Sequence, residues 1–495
     1  MSPTERLPRP LLRGTRGAVA CGHPLAAEAG LRMLAGGGNA VDAAVAAAFT
    51  ICVALPDACG LGGDALALLR SGDGTVTAIN GSGESPAGLR GPIPEVGGGT
   101  ATVPGAVAGL AELHRAGALA WERVLTPAIE LADGGMPLTE DLASLLRDVG
   151  DRLRDRCRGW PPLAADLRPG VLVRQPALAA VLRRIAGAGP DAFYRGEIAA
   201  AIERADRGDG GWLSTDDLAR HVTSVLAPVQ RERLGVSLAV QPPISQASLL
   251  LTALRALQRA GTPGGLDRIH VLAEALEAAF AHRDAIADPA SAPGLPDLDL
   301  AIPDRHAPRA AGPTIGAHTT AVTTADGEGR CVSMLVSVFD PFGSGLLVPE
   351  GGFLLNNRAR GFTAGANAPG PARRPVHTLS PTLVDDGERA FALCTPGADG
   401  QVQTLAQLLC AVALDGRSLP AALDAPRFRV GNGRLAIERD AAPAWSDALT
   451  ARGHDVVALA PGEAFGTVAA AGLELSAGTV FAASDPRREG WAGVL

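Results

Sequence analysis

Gly316-Ala-His-Thr-Thr-Ala-Val-Thr-Thr-Ala-Asp-Gly327 lies where two stretches of very different texture meet. Upstream, residues 288–317 hold many Pro and Ala residues with little periodicity, which predicts a loop. Downstream come short β-like runs at 318–324, 331–339, 353–357, 382–385 and 390–394. A loop therefore runs straight into a threonine-rich strand at Thr319-Thr320. Threonine is β-branched and favours strands, so this segment alone has an ordinary structural explanation.

Working outward to the N-terminal side, Gly17–Cys21 reads as a strand and Leu25–Leu34 has helical spacing. Gly36-Gly-Gly38 ends that helix, and Asn39 is the expected N-cap of a second one over 40–54. Pro56 stops it. Cys59-Gly-Leu-Gly-Gly63 is a tight turn into a strand over 65–69, and Val76–Ile79 pairs with it as a hairpin. Residues 103–257 read as mostly helical, with turns at Gly134-Gly135, Pro161-Pro162 and Gly208–Gly211. Ile269–Ala285 reads as an amphipathic helix. This order of elements fits a mixed, layered α/β fold.

Composition narrows the chemistry. The 495 residues are 47% hydrophobic, ample for a large core in one big domain or two closely packed halves. The formal net charge of −8 argues against a nucleic-acid partner. All 44 basic residues are arginine, which excludes lysine-based catalysis and a lysine-containing P-loop. The seven cysteines form no C-x-x-C pair, so neither a disulfide framework nor a zinc ribbon is expected. Residues 1–17 lack the apolar core of a signal peptide, and the longest apolar stretch, 43–55, is shorter than the ~20 residues that span a bilayer. The expectation is a cytoplasmic protein with no membrane partner. No H-E-x-x-H or G-x-S-x-G occurs, and the nine histidines show no metal-ligand spacing.

Motifs along the whole chain give Thr319 a second meaning. They include Cys21-Gly-His-Pro-Leu-Ala-Ala-Glu-Ala-Gly30, Gly37-Gly-Asn-Ala-Val-Asp-Ala-Ala-Val45, Gly60-Leu-Gly-Gly63 and Val103-Pro-Gly-Ala-Val-Ala-Gly109. Further on are Phe342-Gly-Ser-Gly345, Leu354-Leu-Asn-Asn357, Ser380-Pro-Thr382 and Ser484-Asp-Pro-Arg-Arg488. In this order they resemble the γ-glutamyltranspeptidase family. The resemblance implies a four-layer αββα sandwich of the N-terminal-nucleophile (Ntn) hydrolase kind. It implies a proenzyme that cuts itself between His318 and Thr319, leaving fragments 1–318 and 319–495 interlocked as a heterodimer. Thr319 is then the nucleophile, and its new α-amino group is the base. Ser337 matches the family's second hydroxyl. Gly397 and Ala398, in Thr395-Pro-Gly-Ala-Asp399, match the backbone oxyanion hole, with alanine where the family has a second glycine. No cofactor or metal is implied.

The γ-glutamyl-binding positions depart from the family pattern. The segment Asn80–Pro86 has no arginine where the family clamps a carboxylate. Phe339 replaces an asparagine, Arg358 a glutamine and Gly361 an aspartate, and His377-Thr378 replace a serine pair. Without that acid, and with Arg358 near, the site is expected to take a small molecule bearing a carboxylate. Arg358 is read either as its anchor or as a structural ion pair; Arg360 and Arg374 are read as ion pairs. The expected reaction is attack on an amide carbonyl through an acyl-enzyme. The alternatives are C–C bond hydrolysis releasing an oxalyl-type acid in an antibiotic pathway, and an uncleaved pseudoenzyme that binds an anion.

Overall fold

The computed structural model describes residues 9–288, 298–309 and 319–495. In chain order the main strands are β1 (Leu12–Gly14), β2 (Gly17–Cys21), β3 (Asp64–Arg70), β4 (Val76–Gly81), β5 (Ser224–Leu226), β6 (Val229–Arg233) and β7 (Val236–Val240). They continue as β8 (Thr320–Asp326), β9 (Cys331–Ser337), β10 (Thr382–Asp385), β11 (Arg389–Cys394), β12 (Ala469–Glu474), β13 (Val480–Ser484) and β14 (Trp491–Val494). They build two seven-stranded sheets, ordered β14-β2-β8-β9-β3-β4-β5 and β1-β13-β12-β11-β10-β7-β6.

Side chains alternate across each strand, and the two faces have separate fates. In β8, Val322 joins the core under the helices, while Ala321 and Ala325 join the layer between the sheets. In β9, Val332, Met334 and Val336 face the helices and Cys331 and Leu335 face the other sheet. Alanines dominate the inter-sheet layer, among them Ala18, Ala20, Ala392, Ala471 and Ala482. Small side chains let the two sheets approach closely. Helices α1 (Pro24–Ala35) and α2 (Ala40–Ala54) cover the first sheet. Helices α3 (Ser248–Arg259), α4 (Gly265–Phe280) and α5 (Gly400–Ala413) cover the second. The result is the expected αββα sandwich. Asn39 does cap α2, in a capping box with Asp42.

Each sheet contains strands from both sides of residue 318. β8 is hydrogen-bonded between β2 and β9, and β9 is bonded to β3. A cut before Thr319 would therefore leave two fragments sharing both sheets.

Three expectations need correction. The mostly helical stretch 103–257 contains β5, β6 and β7. Leu234 and Gly235, with φ of 54° and 79°, turn β6 into β7; β6 is polar because it forms a sheet edge. Pro161-Pro162 opens a short helix, Pro161–Ala164, since proline suits a first helical turn. The amphipathic helix spans Gly265–Phe280, with a separate 3₁₀ turn at Arg283–Ala285. No helix among the described residues is long and apolar enough to cross a membrane.

Candidate active site

Thr319 stands directly before β8. The pairing of Thr320 with Val336 sets Thr319 opposite Ser337, and Ser337 is paired in turn with Asp64 on β3. All three share the strand parity of inward-facing Ala321, Leu335 and Leu66, so they form a row at one end of the inter-sheet layer. Thr319 is 6% exposed, and Ser337 and Asp64 are fully buried. Thr319 Oγ1 donates to Ser337 Oγ at 3.1 Å, and Ser337 Oγ also accepts the Phe339 N–H at 2.9 Å. Gly63 makes room for the row: a Cβ there would lie 2.4 Å from the Ser337 carbonyl oxygen.

The second sheet supplies the facing wall. β11 ends at Cys394, and the turn Thr395–Asp399 leads into α5. Gly397 has φ 126°, which favours glycine, and Ala398 holds a left-handed φ of 43°. The turn is pinned by its carbonyls. Gly400 N–H donates to Gly397 O at 2.7 Å, and Gln401 N–H and Gln246 Nε2 donate to Ala398 O, each at 3.1 Å. Among the described residues, no protein acceptor meets the N–H of Gly397 or Ala398. Backbone amides left without a protein acceptor just before a helix are suited to an oxyanion. Asp399 is held by Arg283 at 2.9 Å.

Pro396 of this turn and Thr319 line the same cavity, about 90 Å³ in volume. Asp57, Asp141, Glu489 and Arg488 line it as well. Burial and the nearby Asp141 charge raise the Glu489 carboxyl above its usual range.

The opposite flank, beyond Ser337, is different. Arg358 is fully buried and its Nε donates to Asp64 Oδ2 at 2.9 Å. The Phe339 ring lies 4.5 Å from the guanidinium carbon. Arg358 Nη1 and Nη2 are buried and have no hydrogen-bond partner among the described residues. Nε thus forms the structural ion pair that is one of the two readings of Arg358. His377 Nε2 also contacts Asp64 Oδ2, at 3.3 Å, and Leu379 N–H points to His377 Nδ1 at 3.4 Å. Burial, reinforced by the Arg358 charge, pushes the His377 pKa down to about 4. The ring is therefore neutral near pH 7 and donates through Nε2. Burial alone would raise Asp64, but the His377 hydrogen bond and the Arg358 charge hold it below the usual carboxylate range.

Phe339 and Arg358 are thus brought together, while Thr378 contributes chiefly through its backbone. Gln246 Nε2 donates to both Thr378 O at 3.4 Å and Ala398 O at 3.1 Å, tying the Asp64 flank to the oxyanion turn. Gln246 carries no sequence motif, and only its fully buried amide betrays it. Arg360 pairs with Asp340, and Arg374 with Glu84 at 3.2 Å, in line with their expected structural roles. His318 lies outside the described residues.

Acid should weaken the fold through two neutral histidines. His23, like His377, is driven to about 4 by burial. Both folded-state pKa values lie below the unfolded value near 6.5, so the stability they contribute is intact above that pH. It is lost as pH falls from 6.5 towards 4, at roughly 2 kcal/mol per histidine between pH 7 and 5. Urea unfolding at the two pH values should show this loss. His377→Gln should shrink it, and an unchanged pH slope in that variant would refute the assignment.

Two antiparallel sheets sandwiched by helices, with a threonine heading an inner strand beside an amide-lined turn, define an Ntn hydrolase. The family profile described as Gamma-glutamyltranspeptidase matches residues 26–495, and the chain belongs to that family. Within it the chain is an acyl hydrolase or transferase. It is 34% identical to the acylase ACY 1 proenzyme of Pseudomonas sp. (strain SE83), over 90% of this chain and 88% of the relative. It is 33% identical to the oxamate amidohydrolase proenzyme of Klebsiella pneumoniae, over 97% and 98% of the two chains. The crystal structure of a cephalosporin acylase from Bacillus halodurans superposes with a TM-score of 0.89 at 29% identity, covering 100% of this chain and 98% of that one.

Proposed function

We propose that the chain cuts itself between His318 and Thr319, and that the freed Thr319 then opens an amide bond through an acyl-enzyme. The observation that carries this reading is the 3.1 Å contact between Thr319 Oγ1 and Ser337 Oγ, beside a cavity that Thr319 and Pro396 both line. The new α-amino group has a reference pKa of about 7.7–8.0, near working pH. It takes the Thr319 hydroxyl proton as the oxygen attacks the carbonyl carbon. Charge gathers on the carbonyl oxygen, where the Gly397 and Ala398 amides donate. The C–N bond breaks, the proton passes to the leaving amine, and water or a second amine releases the acyl group.

The acyl part carries a carboxylate. The two unpartnered Arg358 nitrogens support this, as does Gly361, which stands where an acid for an ammonium would be. An amine leaving group fits better than a carbon one, because Asp57, Asp141 and Glu489 line the other flank. The relatives' names, an acylase and an oxamate amidohydrolase, agree with amide chemistry.

Intact-mass analysis should find fragments 1–318 and 319–495; a chain still whole after long incubation would overturn the reading. Monoanilides of small dicarboxylic acids should be turned over at least about tenfold faster than a γ-glutamyl anilide. Equal turnover would show that γ-glutamyl recognition persists. Gly397→Ala should lower kcat by about 10²–10³ with little change in KM, because alanine is strained at φ 126° and moves the amide. Ala398→Gly should stay close to wild type. An unchanged kcat in Gly397→Ala would remove the turn from the mechanism.

A further inference from the structure

A second cluster of chemistry-bearing side chains lies away from Thr319, on α4. His270, Glu274 and Glu277 follow one another at helical spacing, and all three are buried. His454, buried at the turn after the helix Ala442–Ala451, approaches the same face. So does His306, from the segment 298–309.

The contacts are short and directional. His270 Nδ1 lies 2.9 Å from His454 Nε2, and His270 Nε2 lies 2.9 Å from the carbonyl oxygen of Pro303. A carbonyl can only accept, so His270 carries its proton on Nε2. In the neutral ring Nδ1 then presents a lone pair to the cluster. Glu274 Oε1 meets His306 Nδ1 at 2.6 Å, and its Oε2 meets Arg309 at 2.9 Å. Glu277 Oε2 is buried beside them and accepts no hydrogen bond among the described residues. Two carboxylates and one arginine thus meet three imidazoles, and one carboxylate oxygen has no donor among the described residues.

From this geometry we infer a first-row divalent cation site, with Zn²⁺ as its best occupant, held by His270 Nδ1, His454 Nε2 and a carboxylate oxygen of Glu274. These three ligand atoms lie within 4.8 Å of one another. Tetrahedral Zn²⁺, at about 2.0–2.1 Å from each ligand, would set neighbouring ligand atoms about 3.3 Å apart. The two imidazoles need to separate by only a few tenths of an ångström. Mixed imidazole and carboxylate donors favour Zn²⁺ over Mg²⁺ or Ca²⁺, which prefer all-oxygen shells. Pro303 O on His270 and His306 on Glu274 supply the outer contacts that orient metal ligands. Water takes the fourth position. On the processing reading above, His270 and Glu274 lie in one fragment and His454 in the other, so the ion would also staple the two fragments.

The test uses purified full-length protein stripped with a chelator and dialysed against Zn²⁺. Wild type should retain one Zn²⁺ per chain, and Co²⁺ in its place should give the visible absorption of a tetrahedral site. His454→Asn and Glu274→Gln should each weaken Zn²⁺ binding at least about tenfold. The partly buried outer residue His306 offers a milder variant: His306→Gln should weaken binding less while leaving the α4 core intact. Circular dichroism checks that each variant is folded. Less than one Zn²⁺ on wild type, or equal binding by wild type and folded His454→Asn, overturns the site. Thr319→Ala should bind Zn²⁺ as wild type does, so failure of the processing reading leaves this test standing.

Discussion

Thr319→Ala is expected to yield a single uncut chain with amide hydrolysis reduced by at least about 10⁴-fold. On the proposed mechanism the hydroxyl is the attacking group both in processing and in turnover, so one atom accounts for both losses. Stability should barely change. The hydrogen bond that Thr319 Oγ1 donates to Ser337 lies at the end of a strand, and such a bond contributes about 1 kcal/mol. Thr319→Ser supplies the contrast: it keeps a hydroxyl and should still be cut, more slowly. Gel and intact-mass time courses of the two variants decide the matter. A Thr319→Ala chain that is cut at residue 318, or that keeps wild-type turnover, would remove Thr319 from the reaction.

Asp64→Asn is expected to be the most destabilising single change at the site, by about 3–5 kcal/mol. It removes the charge that faces Arg358 Nε at 2.9 Å and leaves a fully buried guanidinium uncompensated. Arg358→Met removes the other partner and should cost a similar amount. The double variant Asp64→Asn/Arg358→Met should recover much of the loss, since replacing both members avoids a stranded charge. Urea unfolding of the four proteins gives the coupling directly; additive losses would refute the buried pair. Where Arg358→Met remains folded, it should raise KM for carboxylate-bearing anilides far more than for neutral ones. Equal effects on both would return Arg358 to a purely structural role.

Parts of the fold were legible because local pattern sufficed. Asn39 caps α2 through its own side chain, and β3, β4, β8 and β9 show the alternation of strands buried on both faces. The edge strand β6 was not legible, because Val229-Gln-Arg-Glu-Arg is polar for most of its length and its register depends on β7. The strands β12 to β14 gave little period-2 signal, since alanine and glycine fill much of them.

The chain by itself determined the family, the nucleophile candidate and the departures expected at the γ-glutamyl-binding positions, because these rest on residue identity in order along the chain. Only the tertiary structure decided what those residues touch. It set Thr319, Ser337 and Asp64 in one row, although Asp64 precedes Thr319 by more than two hundred residues. It also divided Arg358 between an ion pair and two buried donors that no partner meets among the described residues. The physical reason is that strand register and burial fix side-chain partners across large sequence separations. Hydrogen-bond satisfaction is likewise a property of the packed interior, which no local pattern encodes.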